Sequence, residues 1–592
     1  MTQSALDIFS SLPSFAAPTV LPEEEAIAYW WSVDDTVSLR IHDLSQDTIN
    51  IIPLDRHSLT LEGEEPLHWI GDGFLIQSDP NVYFCECDGS VETVSFGAPE
   101  TYTYIIDIDS KTHRVLYTHY DDPWTLRLSE ADGKQSKVLT EHPEQSGHAG
   151  FSPDRQWLAY RENPTESFGA GRIVITDRAG EQVKTVNIGE ASARTRLRGW
   201  HPDSQRLLID DRSTGWYRVG LHDWQVEDTT WFGDGEYNEY PLTITSAGSQ
   251  LITVRSHAGR RSAIVYSIHN PADGCQFDLP EGVVDRTPVQ PPGMTFASDM
   301  VYLVHETGTC PPQLLQYDLE TDTITVLIDT ATSALTACSL VEPAHVTYDA
   351  PDGQSINAIL HRASETPSPA VVVVHGGPTT AVTCGFDPFA QYLVSEGYTV
   401  LQPNYRGSTD QDRGFERAIK GDLGRGEVDD VAAGGQWLAE QPWVDDNRLA
   451  VFGHSHGAYN AALQAVSYPE LWRVVIPENG YLDAVAVFNE PNLYAQRRII
   501  DNQTCETTKA YLQSVSPIHR TADVGCPVCI IQGEDDATDQ ARAFADGLRE
   551  RGWTAGEQFR LEIIEGEGHV IQNKAQLWGL ITDILEIYVG CY

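Results

Sequence analysis

The sequence predicts two folds in series: an all-β propeller over about residues 26–335 and a doubly wound, mostly parallel α/β sheet over residues 340–592. Three observations carry this reading. A turn-then-strand pattern returns at roughly 40 to 50 residue intervals, the period of a four-stranded propeller blade. No long helical periodicity interrupts it. Beyond residue 340, continuous apolar runs alternate with helical stretches, as in a buried parallel sheet covered on both faces.

The clearest repeats are Phe151 to Tyr160 (FSPDRQWLAY) and Trp200 to Ile209 (WHPDSQRLLI). Thr245 to Val254 and Met294 to Leu303 follow the same scheme, and Ile106 to Val115, Trp69 to Leu75 and Ala28 to Asp34 fit more loosely. In each, Asp, Gly or Ser supplies a turn and an apolar strand follows, with alternating strands such as Arg172 to Thr176 between copies. Seven copies predict seven blades, a closed ring that protects strand edges.

In the second part, Ala370 to Val374, Tyr398 to Leu401 and Leu449 to Phe452 are the buried strands, and Asp429 to Gln441 and Asp539 to Arg551 are helical. Residues 1–25 hold the apolar segment Ala5 to Leu12, which is expected to pack back on the α/β domain.

Composition narrows the function classes. The 592 residues carry 39 Lys+Arg against 86 Asp+Glu, a formal charge of −47. Without a basic excess there is nothing to neutralise phosphates, so nucleic acid and anionic membranes are excluded as general partners. Only seven of the basic residues are lysine, and the other 32 are arginine. This balance resembles that of proteins from salt-loving organisms, in which a Debye length of about 3 Å at 1 M salt screens carboxylate repulsion. The start, MTQSALDIFS, lacks a basic region followed by an apolar run, so no secretory leader is expected. No stretch of about 18 apolar residues predicts a membrane span. Ten cysteines are scattered along the chain, and the pairs Cys85/Cys87 and Cys526/Cys529 read as buried thiols rather than metal ligands. The expectation is a soluble cytoplasmic protein without metal or organic cofactor.

The chemistry concentrates in four places. Gly453-His-Ser-His-Gly457 follows the strand Leu449 to Phe452 and precedes the helical Ala458 to Ala465. This strand–turn–helix setting is that of a nucleophile elbow, with Ser455 lifted above a sheet. A serine nucleophile needs a base, and the base needs an orienting acid. In α/β-hydrolases these follow in the order acid, then histidine, each after a strand. Val528 to Ile531 runs into Gln532-Gly-Glu-Asp-Asp536, and Leu561 to Ile564 runs into Glu565-Gly-Glu-Gly-His569. Asp536 is the expected acid, with its neighbour Asp535 as the alternative, and His569 is the base. Finally, Val371 to Val374 ends in His375-Gly-Gly-Pro378, a turn that bares backbone N–H groups. The N–H groups of Gly377 and His456 are the expected oxyanion donors. His454 and His456 are read as pocket lining, and Arg406 as a structural ion pair.

Taken together, HGGP at 375–378, NYRGS at 404–408, Asp429-Asp430, GHSHG at 453–457, Ser516-Pro517, GEDD at 533–536 and GEGH at 566–569 resemble the prolyl oligopeptidase family in order and spacing. With the upstream propeller the resemblance spans essentially the whole chain, and HGGP with NYRGS places it nearest the acylaminoacyl-peptidase-like branch. The elbow departs from that branch's GGSYGG, and Ala458 resembles the glutamyl endopeptidase branch instead. Glu23-Glu24-Glu25 sits ahead of the first expected blade, so the paired glutamates of dipeptidyl peptidases are not expected. The resemblance implies a serine peptidase acting on short peptides, through Ser455, His569 and Asp536. An esterase using the same triad and a non-catalytic propeller binding protein are the competing readings. Oligomeric state is left open, a homo-oligomer being compatible with the sequence.

Overall fold

A computed structural model describes residues 3–21, 25–33, 36–52, 66–78, 81–96, 103–109, 111–120, 124–141, 149–162, 172–186, 188, 195–287, 300–489 and 505–590. Between residues 14 and 329 the described strands form seven consecutive groups of four, at 14–52, 67–94, 103–140, 149–186, 196–231, 238–276 and 283–329. Neighbours within each group pair antiparallel in sequence order. A single parallel pair, Arg261 with Val283, joins the sixth and seventh groups.

The repeat signature has a physical cause. In the fourth blade Asp154 Oδ1 accepts the Gln156 N–H (3.0 Å), with Arg155 at φ 59° between them. In the fifth, Asp203 Oδ1 accepts the Gln205 N–H (2.9 Å) around Ser204 at φ 59°. The aspartate thus ties a left-handed hairpin turn. The same segments cross-link blades, since Trp200 Nε1 donates to the Gly150 carbonyl (3.0 Å).

Seven apolar clusters fill the seven inter-blade spaces. Trp30 meets Phe74 between blades one and two, and Val254 meets Leu303 between six and seven. Ile27 and Tyr29 of the first blade meet Tyr302, Leu314 and Ile328 of the seventh. Among the described strands none is exchanged between these end blades, so apolar packing closes the ring.

The N-terminus departs from expectation. Helix α1 (Ala5–Ser10) lies against the α/β domain, with Phe9 in that domain's core. Ser14–Val20, however, is the first strand of the first blade, pairing with Ala26–Val33. The boundary expected at residue 25 therefore lies earlier. A bulge at Ala17 and Pro18, with Ala17 at φ 47°, hides this strand from pattern reading. The Glu23 to Glu25 run consequently falls between two strands of that blade, and Glu23 and Glu24 lie outside the described residues. Residues 294–299 of the Met294 repeat also lie outside them.

The second domain is one eight-stranded sheet. Its strands are β1 (Ala344–Asp349), β2 (Ser355–His361), β3 (Ser368–Val374), β4 (Thr399–Asn404), β5 (Val444–His454), β6 (Val474–Glu478), β7 (Val528–Gly533) and β8 (Phe559–Ile564). Their order is β1-β2-β4-β3-β5-β6-β7-β8, antiparallel through β2 and parallel from β4 onward. Alternate residues face opposite layers. Val372, Val451 and Ile530 pack on α3 (Gly426–Ala439), α4 (His456–Ser467) and α5 (Thr538–Glu550). Val371, Ala450 and Ile531 pack on α2 (Pro388–Ser395) and α6 (Lys574–Tyr588). Cys526 and Cys529 lie in these cores, where burial pushes both thiols up to about 12.

The domains meet through a cluster of ions. Asp410, after β4, accepts from Arg261 (2.7 and 3.1 Å), Arg286 (3.0 Å) and Tyr240 (3.2 Å) of the propeller. Burial alone would raise this carboxyl, but the two guanidinium groups hold it below its ordinary value.

Leu314→Ala, in the closing interface, should cost about 2–5 kcal/mol in the propeller's chemical unfolding transition, whereas Ile324→Ala on its exposed outer strand should change it by less than about 0.5 kcal/mol. Equal effects would contradict closure by packing.

Candidate active site

Ser455 stands between β5 and α4 with φ 56° and ψ −118°, a conformation costing on the order of 1–3 kcal/mol for a residue with a Cβ. The turn folds only because its flanks are glycine. A Cβ on Gly453 would lie 2.1 Å from the Gly457 carbonyl oxygen, and one on Gly457 would lie 2.1 Å from that of Val374. The Ser455 N–H donates to the Glu478 carbonyl at the end of β6 (3.0 Å), fixing the elbow to the neighbouring strand.

The structure brings together the three side chains singled out in the sequence. Ser455 Oγ lies 3.0 Å from His569 Nε2, and His569 Nδ1 lies 3.1 Å from Asp536 Oδ2. The same oxygen accepts the Gln532 amide (3.0 Å). Asp535 points elsewhere: its side chain is exposed and its N–H donates to the Glu567 carbonyl (2.9 Å).

The electrostatics agree with the geometry. The Asp536 hydrogen bond raises the His569 imidazole above its ordinary value, outweighing partial burial, and the charges of Asp536 and Glu478 add to the effect. For Asp536, burial alone would push the carboxyl up, but the hydrogen bond and charge of His569 hold it below the usual range.

Gly377 has φ 47° in the turn after β3, and a Cβ on the preceding Gly376 would sit 3.1 Å from Ser455 Cβ. The bared turn therefore flanks the nucleophile. His456 opens α4, where position leaves its N–H without an intrahelical acceptor. Its side chain does not line a pocket, contrary to expectation. It is 2% exposed and lies among Tyr405, Tyr459 and Tyr481, with Nδ1 on the Tyr481 hydroxyl (2.8 Å). Burial pushes this imidazole down to about 3. Arg406 pairs with buried Asp430 (2.7 and 2.9 Å) and with Asp352 (2.9 Å).

Sequence reading missed Asn479. Held at φ 49° after β6, it accepts the Gly533 N–H (2.6 Å) and donates to the Gly568 and His569 carbonyls (3.0 and 2.9 Å). One buried amide thus ties the acid loop to the histidine loop. No motif marks it, although an asparagine just past an apolar run is a frequent bearer of positive φ.

An eight-stranded hydrolase sheet with a serine, a histidine and an aspartate at its strand ends, joined to a propeller, defines a class of two-domain hydrolase-fold proteins. Residues 385–586, about a third of the chain, match the sequence profile of the prolyl oligopeptidase family. It is 29% identical over 182 residues to dipeptidyl aminopeptidase BIII of Pseudoxanthomonas mexicana, covering 29% of this chain and 26% of that protein. It is 27% identical over 194 residues to the acylamino-acid-releasing enzyme of Mus musculus, covering 30% and 26%. These matches span about a quarter of the length of each relative. Among solved structures, a Mycobacterium tuberculosis puromycin-hydrolyzing peptidase superposes with a TM-score of 0.84 at 16% identity, over 100% of this chain and 96% of that one. The Pyrococcus horikoshii acylaminoacyl peptidase does so with 0.72 at 14% identity, over 100% and 98%. Among the described residues no helix is long and apolar enough to cross a membrane.

By NMR, with the resonance assigned by its loss in His569→Gln, His569 should titrate above 6.5 in the wild type. Asp536→Asn should bring it down, because the raising charge is gone. A wild-type value at or below 6.5 would contradict the arrangement.

Proposed function

We propose that the protein is a serine peptidase that hydrolyses short peptides, including those with acylated N-termini, through an acyl-enzyme on Ser455. The observation that carries this reading is the continuous relay from Ser455 Oγ through His569 to Asp536, at 3.0 and 3.1 Å. His569 Nε2 takes the serine proton as Oγ attacks the carbonyl carbon, then delivers it to the leaving amine. Asp536 keeps Nδ1 protonated and balances the imidazolium. The N–H groups of Gly377 and His456 receive the developing oxyanion, each typically worth on the order of 100- to 1,000-fold in rate. No step in this scheme calls on a metal or an organic cofactor.

The propeller favours short peptides over large proteins, because it is bound to the hydrolase beside the HGGP turn. Thr409, next to Asp410, donates its N–H to the Thr380 carbonyl (2.9 Å), and Thr380 Oγ1 bonds within the same turn. The relatives named acylamino-acid-releasing enzymes support an acyl-blocked substrate, and the free thiols together with the acid excess support a reducing, salt-rich cytoplasm.

In concentrated KCl, the wild type should cleave short chromogenic peptides, and Ser455→Ala should reduce this to background without unfolding the protein. Asp536→Asn should lose roughly 10,000-fold. A panel of acylated, free-amino and internally blocked peptides with simple esters assigns the substrate. Cleavage of esters alone would replace the peptidase reading with an esterase, and a folded protein that cleaves nothing would favour a binding role.

A further inference from the structure

The elbow carries two histidine side chains that the relay does not use. His456 is buried beneath the site, but His454 is not. Its side chain is 35% exposed, its ring centroid lies 5.3 Å from that of His569 at an interplanar angle of 48°, and its Nδ1 bonds to Glu478 Oε2 (2.5 Å). The Glu478 side chain is 3% exposed, and its other oxygen, Oε1, has no hydrogen-bond partner among the described residues. A buried carboxyl with one oxygen unsatisfied is a cost that folding alone does not favour. Among the described residues its one side-chain partner is a ring laid against the residue read as the catalytic base.

We propose that His454 and Glu478 are positioning residues, a second imidazole–carboxylate pair that braces the His569 ring through its contact with the His454 ring and places a buried negative charge near it. The proposal rests on the reading of Ser455 as nucleophile and His569 as base. Asp536 holds the Nδ1 edge of the imidazole and Ser455 Oγ meets its Nε2 edge, but both bonds act at the ring's edge and neither packs against its faces. The His454 ring supplies that packing, and Glu478 in turn fixes the His454 ring. Proton bookkeeping is unchanged: the Ser455 proton moves to His569 Nε2, and neither Glu478 nor His454 gains or loses one.

The charged groups around His569 are few. Asp536 comes from the loop after β7, and Glu478 and His454 come from β6 and β5. On its own loop, Glu567 is occupied by the N–H groups of Gln572 and Asn573 and Glu565 is exposed; on the loop after β7, Glu534 accepts the Gly566 N–H. Of these, Asp536 and Glu478 are the carboxylates that act on the imidazole, both toward holding its proton. Glu478 is the more shielded from salt, being buried.

The test is covalent inactivation of the full chain by a fluorophosphonate in concentrated KCl, followed across pH for wild type, Glu478→Gln, Glu478→Asp and His454→Gln. This readout reports Ser–His activation whatever the natural substrate. In Glu478→Gln the acid limb should move down by about half to one pH unit, the size expected for removing a nearby, partly screened charge. The plateau rate should fall about 3- to 10-fold, and Glu478→Asp should restore the limb. His454→Gln should lower the plateau similarly, which keeps the proposal testable if Glu478→Gln does not fold. An unmoved acid limb, with or without a uniform loss of rate, would overturn the proposal while leaving the nucleophile reading intact. Failure of the wild type to label at Ser455 would overturn both.

Discussion

Three neighbouring strands of the hydrolase sheet, β3, β5 and β6, run into turns that contain a left-handed residue: Gly377, Ser455 and Asn479, at φ 47°, 56° and 49°. The rest of the site depends on this shared constraint. A parallel strand cannot continue through positive φ, so each turn lifts a backbone segment clear of the sheet at the same edge. The space between the turns is so small that Gly453, Gly376 and Gly457 have no room for a side chain, or barely room for one. Crowding at this edge is tolerated because the strands beneath are buried on both faces and held in register by parallel ladders.

The propeller is coupled to the same edge. The Asp410 carboxylate, clamped by arginines of the sixth and seventh blades, lies one residue from Thr409, which bonds to Thr380 in the turn after β3. Arg212 of the fifth blade reaches Glu416 and the Gln411 carbonyl in the same stretch. A displacement of the propeller would therefore pull first on the segment that bears Gly377. Because these ion pairs are largely buried, salt that screens the acidic surface screens them far less.

Much of this was legible in the sequence, and for physical reasons. The blade hairpins could be read because Asp154 and Asp203 tie turns that need an acid at a fixed offset. The elbow could be read because two glycines flank a serine where nothing larger fits. Asp536 and His569 were accessible as polar residues placed just past apolar strands. The edge strand Ser14–Val20 was not legible, because a bulge and a proline break its alternation. Nor were Asn479, Glu478 and the burial of His456, which depend on contacts between separate segments: Asn479 with the loops after β7 and β8, Glu478 with His454, and His456 with Tyr405 after β4 and Tyr481 after β6. Sequence order says which residues end a strand. It does not say which neighbouring strand supplies the partner.

In the proposed mechanism, charge develops above Ser455 and must be received there by backbone N–H groups. The most direct measurement is a crystal structure of the protein phosphonylated at Ser455. The phosphoryl oxygen is expected about 2.7–3.1 Å from both the Gly377 and His456 nitrogens, with His569 Nε2 facing the leaving-group position. A phosphoryl oxygen turned to solvent, or held by other donors, would contradict that mechanism.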